Sequence, residues 1–239
     1  MTRFRTALDE GLKELRLSVT EAQADQLARF AALVEEGNRQ QNLTRITSPE
    51  EMAVKHFVDS LSLFLVDLPH SGARFLDVGT GAGFPGIPLA ICRPQWDVVL
   101  LDSLRKRLAF LESAMNVLGL NNVSTLHARA EDAARTPAYR DSFDVVVSRA
   151  VARLPVLLEL CLPFVKVGGV FVAMKGSGVE DEVEESGNAL AELNGRVRST
   201  IELSLPAGYG QRTLVVVEKT GRTKQMFPRR AGIPAKQPL

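Results

Sequence analysis

Three glycines at alternate positions, Gly79, Gly81 and Gly83, follow the apolar run Phe75-Leu76-Asp77-Val78 and lead into Phe84-Pro85-Gly86. Without a Cβ the backbone can turn tightly and a ligand can approach it closely. The spacing is Gly-x-Gly-x-Gly, not the Gly-x-Gly-x-x-Gly that seats a pyrophosphate, and no Gly-Lys-Ser/Thr follows to cradle a nucleoside triphosphate. Asp77 inside the motif would repel a diphosphate and suit a ligand carrying a cationic amine. Asp102 closes the next apolar run, Val98-Val99-Leu100-Leu101, 19 residues beyond Gly83. There a carboxylate can accept from ribose hydroxyls at the sheet's carboxyl edge. Glycine loop and strand-end acid together describe an adenosine ligand whose far end is charged without being a phosphate, and S-adenosylmethionine fits. A glycine-rich turn followed by an acidic helix cap, with Asp102 ahead of Ser103-Leu104, would leave the same letters.

The elements that must position these residues are legible from periodicity. Short β-rich runs at Arg74–Val78, Val98–Leu101, Val123–His127, Phe143–Val147, Val170–Met174, Val197–Leu203 and Thr213–Glu218 predict seven strands, the first five nearly continuous in apolar character. Helical patterns occupy Pro85–Cys92, Leu104–Leu118, Leu154–Leu162 and Glu180–Leu193. This alternation predicts a doubly wound α/β sheet. Ser204 to Arg212 is too short for a crossover helix, so the last two strands form an antiparallel hairpin. The first 70 residues read as a helical extension. Thr20-Glu21 opens one helix, and Ser48-Pro49-Glu50-Glu51 opens another with a cap, a proline and first-turn acids, running through Met52 to Val66. Asn38 to Thr47 reads as the loop between them. The divisions are a helical region over 1–72, a core over 73–219 and a basic tail over 220–239.

At 239 residues, with 45% hydrophobic and 24% charged residues, the chain is a globular protein rather than a disordered, collagen-like or disulfide-stapled one. No stretch approaches the apolar length of a membrane span, and the charged N-terminus has no signal-peptide core. Cys92 and Cys161 sit in apolar contexts and read as core thiols in a reducing compartment, so a cytoplasmic protein is expected. The three histidines, His56, His70 and His127, are dispersed, and no metal site is expected. Net charge is +1, but the last twenty residues hold Arg222, Lys224, Arg229, Arg230 and Lys236 and no acid, leaving the body at −4. Such a tail is either a local contact for phosphates or a solvated extension.

These blocks are similar to the class I S-adenosylmethionine-dependent methyltransferases, with their Rossmann-like sheet. More narrowly the chain resembles the bacterial 16S ribosomal RNA guanine-N7 methyltransferases, the glucose-inhibited division protein B family. The resemblance runs through Asn42-Leu43-Thr44, Lys55-His56-Phe57-Val58-Asp59-Ser60-Leu61, Phe75 to Pro88, Leu101-Asp102-Ser103 with Lys106-Arg107, Arg129-Ala130-Glu131, Ser148-Arg149-Ala150 and Met174-Lys175-Gly176. It implies cofactor contacts at Gly79, Phe84, Ala130, Glu131 and Arg149. The residues themselves agree in part. Gly79 opens the loop, Phe84 closes it where an apolar side chain can cover a ligand, and Ala130-Glu131 follows the third strand near the adenine edge. Glu131 would equally serve as a helix-start acid.

Guanine N7 has a free lone pair and no proton at neutral pH, and its neighbour O6 is an acceptor. Its methylation needs no general base, and positioning supplies most of the catalysis. The chain has Ser148-Arg149-Ala150 after the fourth strand, neither Asn-Pro-Pro-Tyr for an exocyclic amine nor a cysteine for a pyrimidine C5. An arginine fork can donate to O6, so Arg149 is the expected catalytic residue, with a strand-end ion pair as its bland alternative. Lys175 could meet substrate phosphate or simply be solvated. His56, three residues from Asp59 on one helical face, is implied to cover the site, or is satisfied by that carboxylate. Arg229 and Arg230 could lie along RNA backbone. A-form RNA hides N7 in a narrow groove, and with 6% aromatics the chain has a modest stacking platform. The expected substrate is therefore folded or protein-bound 16S rRNA, as in a small-subunit assembly particle, met by a monomer. The same cofactor fold acting on another RNA, a protein or a small molecule, and a non-catalytic nucleotide-binding module, are the competing readings.

Overall fold

In the computed structural model, which describes residues 2–239, capping chemistry sets the N-terminal helices. Helix α1 (Thr2–Glu14) buries Phe4, Leu8 and Leu12 along one face. Helix α2 (Glu21–Gln41) begins where the sequence places it: Thr20 Oγ1 accepts the Gln23 N–H, and the Gln23 side chain accepts the Thr20 N–H. It ends at Gln41 with Asn42 left-handed, so the helix takes the first four residues expected in the loop. Polar residues on an exposed last turn are compatible with a helix and give no period to read. The next helix starts at the Ser48 cap with α3 (Pro49–Met52), widens into a π turn over Ala53–Val58, and continues as α4 (Asp59–Leu61) and a 3₁₀ turn at Ser62–Leu65. Such π insertions are rare and recur at functional sites.

The sheet has seven strands: β1 (Arg74–Val78), β2 (Asp97–Asp102), β3 (Val123–His127), β4 (Phe143–Arg149), β5 (Val165–Lys175), β6 (Gly195–Ser204) and β7 (Gln211–Lys219). Their order is β3-β2-β1-β4-β5-β7-β6, with the first five parallel and β7 antiparallel to both neighbours. The seven predicted strands and the closing hairpin are all present. β3 is the exception to full burial, because it is the edge strand and its Ser124 faces water. Helices α5 (Gly86–Cys92), α6 (Arg105–Leu118), α7 (Ala130–Ala133) and α8 (Leu154–Cys161) connect the parallel strands. The single helix expected over Glu180–Leu193 is two, α9 (Glu180–Glu185) and α10 (Gly187–Glu192). At the break, the Ser186 hydroxyl donates to the Glu182 carbonyl. A last short helix, α11 (Ile233–Lys236), lies in the tail.

One face of the sheet packs against α1, α2, α5, α6 and the π turn, and the other against α8 and the C-terminal segment. Both cysteines are buried and free, and burial pushes the Cys92 thiol up to about 12. The carboxyl ends of β1, β2, β4 and β5 share one edge, with Val78 beside Leu101 and Arg149 beside Met174. That edge carries the site. Among the described residues no helix is long and apolar enough to cross a membrane.

Candidate functional site

Two clefts open side by side at this edge, and Arg149 and Ala150 line both. The first, of about 330 Å³, is walled by Gly79 from the glycine loop, Asp102 from the end of β2, Ala130 and Glu131 from α7, and Val151. The loop that builds it is held from beneath. Asp77 is fully buried, and its Oδ2 accepts from Thr80 Oγ1 at 2.8 Å and from the Gly86 N–H at 2.9 Å. Burial, opposed by those two hydrogen bonds, pushes its carboxyl up to about 6. Asp77 thus braces the loop and lines neither cleft, which corrects the expectation that it faces a ligand amine. Its Oδ1 is buried without a partner.

All three loop glycines have positive φ: Gly79 at 77°, Gly81 at 59° and Gly83 at 95°. A Cβ on Gly79 would lie 2.7 Å from Val151 Cγ2, so this wall exists only with glycine there. The loop amides are committed within the protein. Gly79 and Thr80 donate to the Leu101 carbonyl, Gly81 donates to Asp102 Oδ2 at 3.0 Å, and Gly83 and Phe84 donate to Thr80. A phosphate loop would leave such N–H groups free for the anion. This cleft instead offers the buried carboxylates of Asp102 and Glu131, a set of acceptors suited to an adenosine with an amine-bearing tail. Asp102 meets both readings of its sequence position: its Oδ1 accepts the Leu104 N–H at the start of α6, while the residue also lines the cleft. Glu131 lines it too, with Oε1 accepting the Gly232 N–H at 2.9 Å.

Phe84 does not cover this cleft. Its ring is buried with Phe30 and Phe57 and stacks under His56 at 4.5 Å. The tight turn into α5 aims it at the core, so it supports the neighbouring cleft instead.

That second cleft, of about 320 Å³, is lined by Lys55, His56, Asp59, Arg149, Lys175 and Arg212, with Ile46 and Met174 as apolar walls. The π turn presents His56 between Phe84 and Arg149, with Nε2 at 2.9 Å from Thr44 Oγ1 and Nδ1 at 3.3 Å from Arg149 Nη2. Burial first, then the charge of Arg149, lowers the imidazole to about 3, so it is neutral in use. Arg149 Nη1 donates to Asp59 Oδ2 and to the Lys55 carbonyl, each at 3.0 Å. His56 is therefore satisfied by Arg149 and Thr44, not by Asp59. Arg149 has its structural ion pair and still faces both clefts.

Lys175 Nζ donates to the Ala152 carbonyl and to Glu182, so it is neither free nor solvated. Arg212 was missed as a site residue by the sequence reading, as was the buried Asp59 carboxylate in its role of holding Arg149 and Arg212. Arg212 starts β7, far along the chain from every motif, and only the antiparallel pairing of β7 with β5 brings it here.

The tail is docked, which corrects the expectation of a free basic arm. Arg229 grips Glu159, itself wholly buried, through its backbone N–H, Nε and Nη2. Phe227 and Pro234 are buried, and Arg140 donates to three tail carbonyls, those of Thr223, Lys224 and Phe227. Arg229 thus stabilises the body of the protein, whereas Arg230 is exposed. No group of three or more metal-ligating side chains is gathered among the described residues.

The model of the rRNA small subunit methyltransferase G family matches residues 23–214. The ribosomal RNA small subunit methyltransferase G of Desulfitobacterium hafniense is 49% identical over 95% of this chain and 95% of its own. That of Pelotomaculum thermopropionicum is 44% identical over the full length of both. Among solved structures, a SAM dependent methyltransferase from Aquifex aeolicus superposes with a TM-score of 0.54 over 74% of this chain and 96% of its own, at 19% identity. A precorrin-6y C5,15-methyltransferase from Geobacter metallireducens gives 0.52 over 68% and 88%, at 16% identity. The glycine loop, the seven-stranded sheet and these full-length matches lead to one conclusion: the chain belongs to the rRNA small subunit methyltransferase G family.

Proposed function

We propose that this protein methylates N7 of one guanine in the 16S rRNA of the small ribosomal subunit, with S-adenosylmethionine as cofactor. Gly79, Gly81, Asp102, Ala130 and Glu131 would hold the cofactor in the first cleft, with Asp102 turned to ribose hydroxyls and Glu131 to the adenine end. When bound, the cofactor supplies an electrophilic methyl group. The observation that carries the reading is Arg149, whose side chain lies on the wall shared by the two clefts.

Its remaining hydrogens decide what it can do. Nη1 is committed to Asp59 and the Lys55 carbonyl, and one Nη2 hydrogen faces His56. Nε–H and the other Nη2 hydrogen, which share one edge of the guanidinium, have no acceptor among the described residues. Donation from that edge to guanine O6 would orient the base while leaving the N7 lone pair free. An adenine would present an amino donor to the same edge and be repelled. No residue need take a proton, and none here is poised to: burial and the charge of Arg149 keep His56 from taking up a second proton, and both its ring nitrogens are engaged, by Thr44 and Arg149. The chain's work is orientation, which is where most of such a rate enhancement arises. An enzyme of ribosomal RNA acts in the cytoplasm.

The test is mass spectrometry of 16S rRNA fragments from cells lacking the protein. One 7-methylguanosine should be missing, restored by the wild-type chain and not by Arg149→Ala. Unchanged methylation in the deleted strain would overturn the assignment, and rescue by Arg149→Ala would overturn the role of that side chain.

A further inference from the structure

The second cleft has an odd charge. Four cationic side chains line it: Lys55, Arg149, Lys175 and Arg212. Two of them have carboxylates of their own, Lys55 with Glu51 and Lys175 with Glu182. The two arginines share one. Asp59 Oδ2 accepts from Arg149 Nη1 and Oδ1 accepts from Arg212 Nε, both at 3.0 Å. His56 is neutral and adds nothing. Four cations face three anions, and the cleft keeps one uncompensated positive charge.

The location of that charge follows from what each arginine has left. Arg149 is the less exposed of the two, its side chain at 16%, and it lines both clefts. Arg212 is nearer the mouth at 24%, and Nη1 donates to the Gln211 carbonyl. Arg212 Nη2 has no acceptor among the described residues. The excess charge therefore has an open donor on Arg212, at the rim. Asp59 is only 1% exposed and can meet no ligand itself. Its two oxygens fix the two guanidiniums relative to one another.

We propose that Arg212 binds the backbone phosphodiester of the target nucleotide, and that Asp59 is the positioning residue that sets Arg212 and Arg149 at the separation of phosphate and base. This deepens the RNA methyltransferase reading and rests on it. A phosphodiester carries the single negative charge that the cleft lacks, and its oxygens accept from an arginine edge. The hairpin that closes the sheet thereby contributes to the substrate site, and the β5–β7 pairing that places Thr213 opposite Lys175 sets where Arg212 stands.

The test uses the full-length enzyme, S-adenosylmethionine and small-subunit particles prepared from cells lacking the protein. Arg212→Ala should raise KM for the particles on the order of tenfold, the usual value of one charge-assisted contact. The change in kcat should stay within about twofold, and S-adenosylhomocysteine affinity should be unchanged. Because one phosphate contact is lost, the slope of log(1/KM) against log salt should fall in magnitude by about 0.7. Arg212→Lys keeps the charge and should restore the salt slope with an intermediate KM, which separates ligand contact from folding. Asp59→Asn should lower kcat as well as raise KM, since both arginines lose their brace. Combining it with Arg212→Ala should cost less than the sum of the two. If wild-type enzyme is active and Arg212→Ala leaves KM and salt slope unchanged, the proposal fails while the reaction stands. If wild-type enzyme methylates no particle, the underlying reading fails instead.

Discussion

Arg229→Ala separates two views of the C-terminal segment. Glu159 is wholly buried and accepts four hydrogen bonds from Arg229: one from the backbone N–H at 2.7 Å, two from Nε at 2.9 and 3.1 Å, and one from Nη2 at 2.5 Å. Truncation to alanine keeps the first and deletes the other three together with the countercharge. Breaking a buried pair by removing one member costs roughly 3–5 kcal/mol, because the remaining charge is left in low dielectric. The Arg229 side chain is 24% exposed, so water can partly replace it, and the lower end, about 3 kcal/mol, is expected. For a chain of this size that lowers Tm by roughly 6–12 °C. Scanning calorimetry of wild type, Arg229→Ala and the double variant Glu159→Gln/Arg229→Ala would read it. The double variant should recover most of the loss, since no unpaired carboxylate remains. If Arg229→Ala melts with wild type but loses affinity for RNA, the pair is dispensable and the tail is an RNA arm after all.

Two further expectations follow from the site. Gly81→Val puts a β-branched side chain at φ 59°, where the nearest atom to the new Cβ is the Gly79 carbonyl oxygen at 3.9 Å, so backbone strain rather than collision is the perturbation. It should cost about 1–3 kcal/mol and abolish the calorimetric heat of S-adenosylhomocysteine binding; a wild-type isotherm would refute the role of the loop. His56, lowered by burial to about 3, binds no proton in the folded state until far below its ordinary 6.5. The stability it contributes is whole above pH 6.5 and lost as pH falls toward 3, by at most about 1.4 kcal/mol per pH unit. Asp77, raised from 3.8 to about 6, acts oppositely, its contribution whole below 3.8 and lost as pH rises through 6. The His56 effect is therefore read as the difference in urea stability between wild type and His56→Asn at pH 4.5, 5.5 and 6.5; curves parallel in pH would contradict it.

Much of this architecture was legible because it is local. The parallel strands announce themselves as apolar runs, the glycine loop follows one of them directly, and the Thr20 and Ser48 caps mark two helix starts within four residues. What escaped is what tertiary packing decides. Phe84 reads as a ligand cover from its place in the loop, yet its side chain points where the turn into α5 sends it, under His56. The π turn leaves no period in six residues. Arg212 and Asp59 stand 153 residues apart and meet only through sheet pairing. By composition the basic tail reads as a phosphate contact or a solvated extension, because charge counts do not reveal a buried glutamate waiting for one of its arginines.

That docked tail gives the molecule an order of assembly. The wall of the cofactor cleft that carries Glu131 is pinned by Gly232, and Glu159 in the helix beneath Leu160 is answered by Arg229. Chains are made from the amino end, so Glu131 precedes Gly232 by 101 residues and Glu159 precedes Arg229 by 70. A ribosome must therefore release the chain through Gly232 before this face can close. A peptide fused after Leu239 would hang from the latch itself, and one fused at the opposite terminus would leave it free to shut.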